Sequence, residues 1–314
     1  MRTLALCIPA WNAERFLGRL LESAAAQTRR FDEILVYDDA STDSTGAVAK
    51  RHGAAVVRSD VNRGPSHGKN ELAQLSCCDW IHFHDADGAL SSQFVERASR
   101  WIDDDCTDVV LFGTEDRDDE TGASLGERVW DDVELRRDPV AYAIGTTITN
   151  CGIHRRATLL AAGGFDTNEL TKYNEDQALH LRLALAGLRL RADPYIGVVI
   201  YRREGSMSSG HPIECARAQF EVMKCTAGAA GPRYAREIGE RLWHLATVSA
   251  SYSDWEYVRR CLSLAADLRY VVPVREPLLM RCAARVSPVG AIRARECYVR
   301  LFKPALRRGV RRTP

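Results

Sequence analysis

The first 84 residues alternate short apolar runs with segments whose apolar residues recur at helical spacing. Strands are expected at Leu4–Ile8, Ile34–Tyr37, Ala55–Arg58 and Trp80–His84. Helices are expected between them, one beginning at Ala13 with Asn12 as its cap, one over Thr45–His52 and one over Gly64–Leu75. Strands and helices in this order form right-handed β-α-β units. The pattern therefore predicts an α/β fold with a mainly parallel open sheet and helices on both faces.

Polar residues follow three of these predicted strands. Asn12 comes after the first strand, Asp38 and Asp39 after the second, and Asp85 and Asp87 after the fourth. The carboxyl ends of parallel strands meet at one edge of an open sheet, where such sheets bind ligands. We therefore expect these side chains to form one pocket. Each also has a simpler interpretation, as a helix cap or as a solvated turn.

Asp85 and Asp87 stand one residue apart in the stretch Trp80-Ile-His-Phe-His-Asp-Ala-Asp-Gly88. Two nearby carboxylates repel each other unless a cation or a proton lies between them. Oxygen ligands of this kind suit Mg²⁺ or Mn²⁺, which usually keep open positions for a substrate diphosphate. The motif alone leaves two alternatives open. It could be an Asp-rich turn, or the site of a haloacid-dehalogenase-type phosphatase in which Asp85 is the nucleophile.

Composition limits the class of protein. A chain of 314 residues with 46% hydrophobic content can bury a large core. No apolar run approaches the roughly 18 residues of a membrane span, and the run Leu4–Pro9 is too short for a signal peptide. The ten cysteines are scattered without a Cys-x-x-Cys pair, which is typical of reduced thiols. A cytoplasmic protein is expected.

The net charge of +1 hides a basic tail. Residues 281–314 contain ten Lys or Arg and one acid, Glu296, whereas the rest of the chain has 33 basic and 41 acidic residues. Basic residues alternate there with Ile292, Tyr298, Leu301 and Phe302, which predicts contact with an anionic membrane surface, such as the inner face of the cell membrane. A solvated or acid-paired tail is the alternative. Nucleic acid is not expected, because no recognition module accompanies the charge.

The second half of the chain adds further elements. Strands are expected at Val109–Phe112 and Pro194–Tyr201, a hairpin within Glu115–Trp130, and helices at Arg156–Ala162 and Ala178–Gly187. Glu175 and Asp176 would lie in the first turn of the last helix, where acids also stabilise the helix dipole. From Ile213 the pattern is helical. We expect a catalytic domain over 1–212, with halves of about 1–110 and 111–212, followed by a helical region over 213–314 with the basic tail.

Four ordered motifs resemble those of the family 2 type of inverting nucleotide-sugar glycosyltransferases, which have the A-type fold. They are Ile8-Pro-Ala-Trp-Asn12, Val36-Tyr-Asp-Asp-Ala-Ser-Thr-Asp43, Asn62-Arg-Gly-Pro-Ser-His-Gly-Lys-Asn70 and His84-Asp-Ala-Asp87. The segment Gly163-Gly-Phe-Asp166, followed by Glu175-Asp176 and a Leu-Arg-Leu helix, resembles the acceptor-side block of the same family. The resemblance covers about residues 3 to 210. The phosphatase motif normally lies on the first strand, and its other motifs are missing here.

The resemblance implies a role for each motif. Pro9 and Asn12 would border the nucleotide, Asp38 and Asp39 would contact its base and ribose, Lys69 would lie near the diphosphate, Asp85 would support the metal or contact the ribose, and Asp87 would bind the metal. Asp176 would be the general base, with Glu175 orienting the acceptor or serving as base in its place. The family often has a metal-binding His where this chain has Glu204, so His211 is the candidate for that ligand.

The activity implied is transfer of a sugar from a nucleoside diphosphate donor, most often a uridine one, to a hydroxyl acceptor with inversion. The implied cofactor is Mn²⁺ or Mg²⁺. The usual setting is bacterial surface polysaccharide or lipid-linked glycan synthesis. A non-catalytic nucleotide-sugar-binding protein is the remaining alternative.

Overall fold

The computed structural model describes residues 2–203, 205–206 and 210–303. In this part of the chain the strands are β1 Leu4–Ala10, β2 Glu33–Asp39, β3 Ala55–Ser59, β4 Trp80–Phe83, β5 Ala89–Leu90, β6 Val109–Asp118, β7 Ser124–Arg128, β8 Gly152–Arg155 and β9 Leu190–Arg202. The α-helices are α1 Leu17–Ala25, α2 Thr45–Arg51, α3 Pro65–Leu75, α4 Phe94–Ile102, α5 Asp132–Arg137, α6 Pro139–Gly145, α7 Arg156–Ala161, α8 Glu175–Leu185, α9 Pro212–Ala230, α10 Ala235–Ser251, α11 Trp255–Asp267, α12 Leu278–Val286 and α13 Pro288–Phe302.

The strands form one sheet with the order β3-β2-β1-β4-β8-β6-β9-β5, and β7 pairs with β6. The predicted strands of the first half are parallel, β1 pairing with β2 and β4, and β2 with β3. Beyond β4 the sheet is mixed. Strand β8 is antiparallel to both β4 and β6, β6 and β9 are parallel, and β5 is antiparallel to β9. The predicted α/β fold with a helical C-terminal region is confirmed.

The first helix differs from its prediction at its start. All seven residues of β1 are buried, as in a central parallel strand. Helix α1 buries the predicted apolar face of Leu17, Leu20, Leu21 and Ala24. It begins at Leu17 rather than Ala13, and Asn12 does not cap it, because Asn12 has a φ of 48° and its Oδ1 accepts a hydrogen bond from Thr42 N at 2.9 Å. Asparagine tolerates this left-handed backbone better than most residues.

A close approach of helix and sheet positions the next motif. A Cβ built on Gly68 of α3 would lie 2.7 Å from Cδ1 of Tyr37 on β2 and 3.3 Å from Cβ of Pro9 on β1. Glycine therefore lets α3 lie against the carboxyl ends of both strands. The next residue, Lys69, is consequently held in the interior of the protein, where it is fully buried.

The chain divides into two compact units. One comprises residues 1–143, 147–168 and 175–206, and the other comprises 144–146, 169–174 and 207–314. The regular elements of the second unit are helices over the described residues up to Phe302. Our division at residue 212 stays a prediction. Four arginines of the predicted membrane-binding tail, Arg307, Arg308, Arg311 and Arg312, lie outside the described residues, as does Glu204. None of the helices described meets the length and apolarity that a bilayer crossing requires.

Candidate active site

The loops after β1 and β2 are tied together by hydrogen bonds. Asn12 N donates to Ser41 Oγ at 3.0 Å, and Thr42 N donates to Asn12 Oδ1 at 2.9 Å. Asn12 is predicted to border the nucleotide. Its amide oxygen is used in fixing the loop, so the side chain shapes this edge of the sheet even without a ligand.

Asp38 and Asp39 end β2 and are both buried. Asp38 accepts a hydrogen bond from Ser41 N at 3.0 Å and is ion-paired with Arg58. Asp39 accepts from the backbone N–H groups of Arg63 and Gly64, at 2.9 and 2.8 Å. These bonds anchor the loop that leads into α3. The two carboxylates therefore organise the predicted nucleotide pocket, and their contacts with base and ribose stay a prediction.

Lys69 lies among three carboxylates. Its Nζ is 3.4 Å from Asp85 Oδ1, 3.4 Å from Glu175 Oε1 and 3.5 Å from Asp176 Oδ1, and 4.9 Å from the centre of the Phe165 ring. Burial alone would lower the pKa of Lys69, but the carboxylates raise it above its usual value, so the ammonium stays charged. The structure thus joins the Asn62–Asn70 motif, the Asp-x-Asp motif and the Glu175-Asp176 pair around one cation.

Glu175 and Asp176 occupy the first turn of α8, as predicted. Adjacent helical residues usually diverge, yet both carboxylates come within 3.5 Å of Lys69 Nζ. Burial raises the pKa of both. For Asp176 the ammonium of Lys69 opposes this effect, the charges of Glu175 and Asp85 add to it, and the resulting pKa is about 7. A carboxylate of this pKa can accept a proton at neutral pH.

Three buried, neutral histidine side chains lie near this cluster. His180 is on α8, and its Nδ1 is 2.7 Å from the backbone oxygen of Asp176. Burial lowers the pKa of His180 to about 4 and that of His82 on β4 to about 3, and it holds the pKa of His154 on β8 well below its ordinary value. They add no positive charge at neutral pH. Lys69 is the positive charge that acts on all three carboxylates.

Asp87 lies beside two arginines that no sequence motif predicts to be part of the site. Arg203 Nη1 is 2.8 Å from Asp87 Oδ2, and the guanidinium of Arg203 lies over the ring of Phe16 at 4.1 Å. Arg19 Nη2 donates to the backbone oxygen of Asp87 at 2.7 Å and stacks on Tyr201 at 3.4 Å. Arg203 comes two residues after the predicted strand Pro194–Tyr201, but only the folded chain brings it to Asp87.

Asp87 is the side chain predicted to bind a divalent ion. Its carboxylate is a hard oxygen ligand, about one-third exposed at 34%, and it already has a cation next to it in Arg203. Within the described residues, no three His, Cys, Asp or Glu side chains form a ready metal cage. His211 belongs to the second unit, immediately before α9, with its ring 5.2 Å from that of Tyr173. Its role as a metal ligand stays a prediction.

Comparison with known proteins gives similarities over the same region. Residues 5–156 match the model of the family described as glycosyl transferase family 2. The poly(ribitol-phosphate) beta-N-acetylglucosaminyltransferase TarS of Staphylococcus aureus strain MW2 is 24% identical over 200 residues, which are 60% of this chain and 34% of TarS. The succinoglycan biosynthesis protein ExoU of Rhizobium meliloti is 26% identical over 264 residues, 76% of each chain. This chain thus spans about a third of the length of TarS.

Solved structures extend the likeness in fold. The crystal structure of S. aureus TarS 1-349 in complex with UDP-GlcNAc has a TM-score of 0.69 at 22% identity, covering 95% of this chain and 91% of that one. The mannosyltransferase PcManGT from Pyrobaculum calidifontis, in complex with GDP-Man and Mn²⁺, has a TM-score of 0.61 at 19% identity, covering 98% and 83%. The fold of this chain is therefore that of these two transferases.

Proposed function

We propose that this chain, whose residues 5–156 match the model of glycosyl transferase family 2, transfers a sugar from a nucleoside diphosphate donor to a hydroxyl acceptor with inversion at the anomeric carbon. The observation that carries the proposal is the cluster of Asp85, Glu175 and Asp176 around the buried Lys69. It puts a carboxylate of pKa about 7 at the edge of the sheet where a ligand is expected. The family match includes Asp85, so the phosphatase alternative is not retained.

Asp176 takes the role of general base in the reaction. A sugar hydroxyl is a poor nucleophile at neutral pH, and a carboxylate within hydrogen-bond reach removes its proton as it attacks the anomeric carbon. The sugar–phosphate bond breaks in the same displacement, so no enzyme nucleophile is needed. Lys69 holds Glu175 and Asp176 in place, and Glu175 is left to orient the acceptor.

Asp87 would hold the divalent ion, Mn²⁺ or Mg²⁺. When bound, the ion supplies positive charge to the leaving diphosphate. Arg19 and Arg203 place two further positive charges beside Asp87. The Mn²⁺ named with PcManGT supports this assignment by analogy of fold.

We propose a uridine diphosphate sugar as donor, by analogy with the UDP-GlcNAc named in the TarS complex. We also propose a glycan or lipid-linked acceptor. The names of TarS and ExoU, which mention poly(ribitol-phosphate) and succinoglycan biosynthesis, support a setting in bacterial surface polysaccharide synthesis. A guanosine donor is the alternative, since PcManGT is named with GDP-Man.

The experiment that tests this function compares Asp176→Asn with the unchanged chain. We expect donor hydrolysis and transfer to fall by about 10²–10⁴-fold, the usual contribution of a general base, while donor affinity measured by calorimetry is retained. Glu175→Gln is the matched variant and should lose less turnover. The reverse order would exchange the two roles. If the unchanged chain binds a nucleotide sugar but neither hydrolyses nor transfers it, the protein is a binding module instead.

A further inference from the structure

Helix α12 (Leu278–Val286) turns its apolar side away from the protein. Leu278, Leu279 and Val286 are 72%, 86% and 89% exposed, and Cys282 is exposed as well. At 100° per residue these four side chains fall within one arc of the helix. The buried residue of α12 is Ala284, on another side. The helix is therefore amphipathic in the reverse sense, since its apolar stripe faces the surroundings and not the core.

Basic residues border this stripe. Arg281 and Arg285 lie next to it on the helix, and no carboxylate in the described part of the chain forms an ion pair with either of them. Residues 268–303 contain eight Lys or Arg and two acids, Glu276 and Glu296. One of these acids, Glu296, is already ion-paired with Arg300 at 2.8 Å. The surroundings of the stripe are thus strongly cationic.

The combination identifies the partner by its chemistry. Large exposed apolar side chains in a contiguous stripe mark a contact surface. A second copy of this chain would bring the two arginines against their equivalents across a two-fold axis, so like charges would oppose that contact. An anionic lipid surface offers both acyl chains for the leucines and phosphates for the guanidinium groups. At nine residues the helix is too short to span a bilayer.

We propose that α12 lies in the plane of an anionic membrane interface, with Leu278, Leu279 and Val286 among the acyl chains and Arg281 and Arg285 on lipid phosphates. Along the sequence, α12 comes before most of the basic residues of the tail. Membrane binding would give a lipid-linked acceptor its biological setting, and only in this respect does the inference rest on the proposed function. Membrane binding is measured with vesicles and requires no sugar transfer, so either proposal can fail without the other.

The test uses the full chain and two kinds of vesicle, phosphatidylcholine alone and phosphatidylcholine containing phosphatidylglycerol. We expect co-sedimentation with the anionic vesicles and little with the neutral ones. L279N/V286N should weaken that binding at least tenfold, because the apolar contact is lost. R281Q/R285Q should weaken it by about tenfold or more at low salt, and the difference should shrink at high salt.

Matched controls come from the first unit. L125N/V133N removes two apolar side chains that are 59% and 71% exposed, and R51Q/R100Q removes two exposed arginines. Both should bind vesicles like the unchanged chain. The inference is overturned if L279N/V286N binds as well as its control. It is also overturned if vesicle binding is absent while L279N/V286N converts a dimer into a monomer, since a second copy would then cover the stripe.

Discussion

At Asp176, burial raises the pKa, Lys69 opposes that effect, and the acids Glu175 and Asp85 reinforce it. The pKa is about 7 in the folded chain against an ordinary value of 3.8. Between these values the folded state binds more protons than the unfolded state. The free energy of unfolding therefore falls as the pH rises through this window, by at most about 4 kcal/mol.

This linkage predicts the effect of Asp176→Asn on stability. Asparagine carries no charge at any pH, so the variant should melt at a slightly higher temperature than the unchanged chain at pH 5, near the lower end of this window, and at a much higher temperature at pH 8. Melting temperatures at the two pH values measure the effect. Asp60→Asn, which changes an exposed acid, is the control and should give no such widening. An equal difference at both pH values would mean that Asp176 is not a carboxyl of raised pKa.

Lys69 provides the second prediction at this scale. Lys69→Met keeps most of the side-chain volume but leaves three carboxylates without their shared cation. Breaking a buried ion pair from one side typically costs about 3–5 kcal/mol, and we expect a loss of this size in urea unfolding at pH 8. The loss should shrink at pH 5, where the acids take up protons. Lys50→Met, at an exposed position of α2, is the matched control, and equal stability of the two variants would contradict the role of Lys69.

Among the elements, α3 matters most to the site because it carries Lys69. Gly68→Ala places a Cβ 2.7 Å from Tyr37 Cδ1, so α3 or the tyrosine must move. Overpacking of this kind typically costs about 1–3 kcal/mol. The displaced helix should also lower turnover through Lys69. Urea unfolding and donor hydrolysis measure the two effects. Gly228→Ala in α9, where a Cβ meets nothing within 4 Å, should instead leave activity unchanged and stability equal or higher.

The elements that could be predicted from sequence are those with a strong hydrophobic periodicity or with a clear Gly or Pro at their end. The four parallel strands and α8 belong to this class, as does the hairpin of β6 and β7, whose turn contains Gly122 at a φ of 69°. Strands β5 and β8, of two and four residues, were not predicted, because so few residues show no period of their own. Their pairing with β9 and with β4 and β6 defines them, and that is a property of the folded chain.

The same distinction applies to the site. Glu175, Asp176 and Lys69 were found because they lie in motifs, but their common contact joins residues more than 100 positions apart and is invisible in a linear pattern. Arg19 and Arg203 carry no motif of their own, and in the folded chain they lie beside Asp87 while they stack on Tyr201 and Phe16. The prediction that Asn12 caps a helix was wrong because a competing hydrogen bond to the loop after β2 satisfies its side chain.

For the whole molecule, ligand binding and folding are coupled, because a donor that binds only the folded chain stabilises it. At a donor concentration of about 100 times Kd this stabilisation is about 2.7 kcal/mol. A screen of uridine and guanosine diphosphate sugars by thermal shift, each with and without Mn²⁺, therefore ranks donors without knowledge of the acceptor. If Asp87 binds the ion, the extra increase in melting temperature that Mn²⁺ gives should depend on the carboxylate of Asp87.

Asp87→Asn tests this dependence. The substitution keeps the shape of the side chain and removes the charged oxygen ligand, along with the ion pair to Arg203. We expect the apo melting temperature to change little, because an ion pair of two partly exposed groups contributes about 0–1 kcal/mol. The additional increase in melting temperature that Mn²⁺ gives with the best donor should fall to a small fraction of that in the unchanged chain. The Mn²⁺ affinity, measured by calorimetry in the presence of nucleoside diphosphate, should fall likewise. Asp60→Asn should keep both at their original values, and an unchanged Mn²⁺ affinity in Asp87→Asn would remove Asp87 from the metal site.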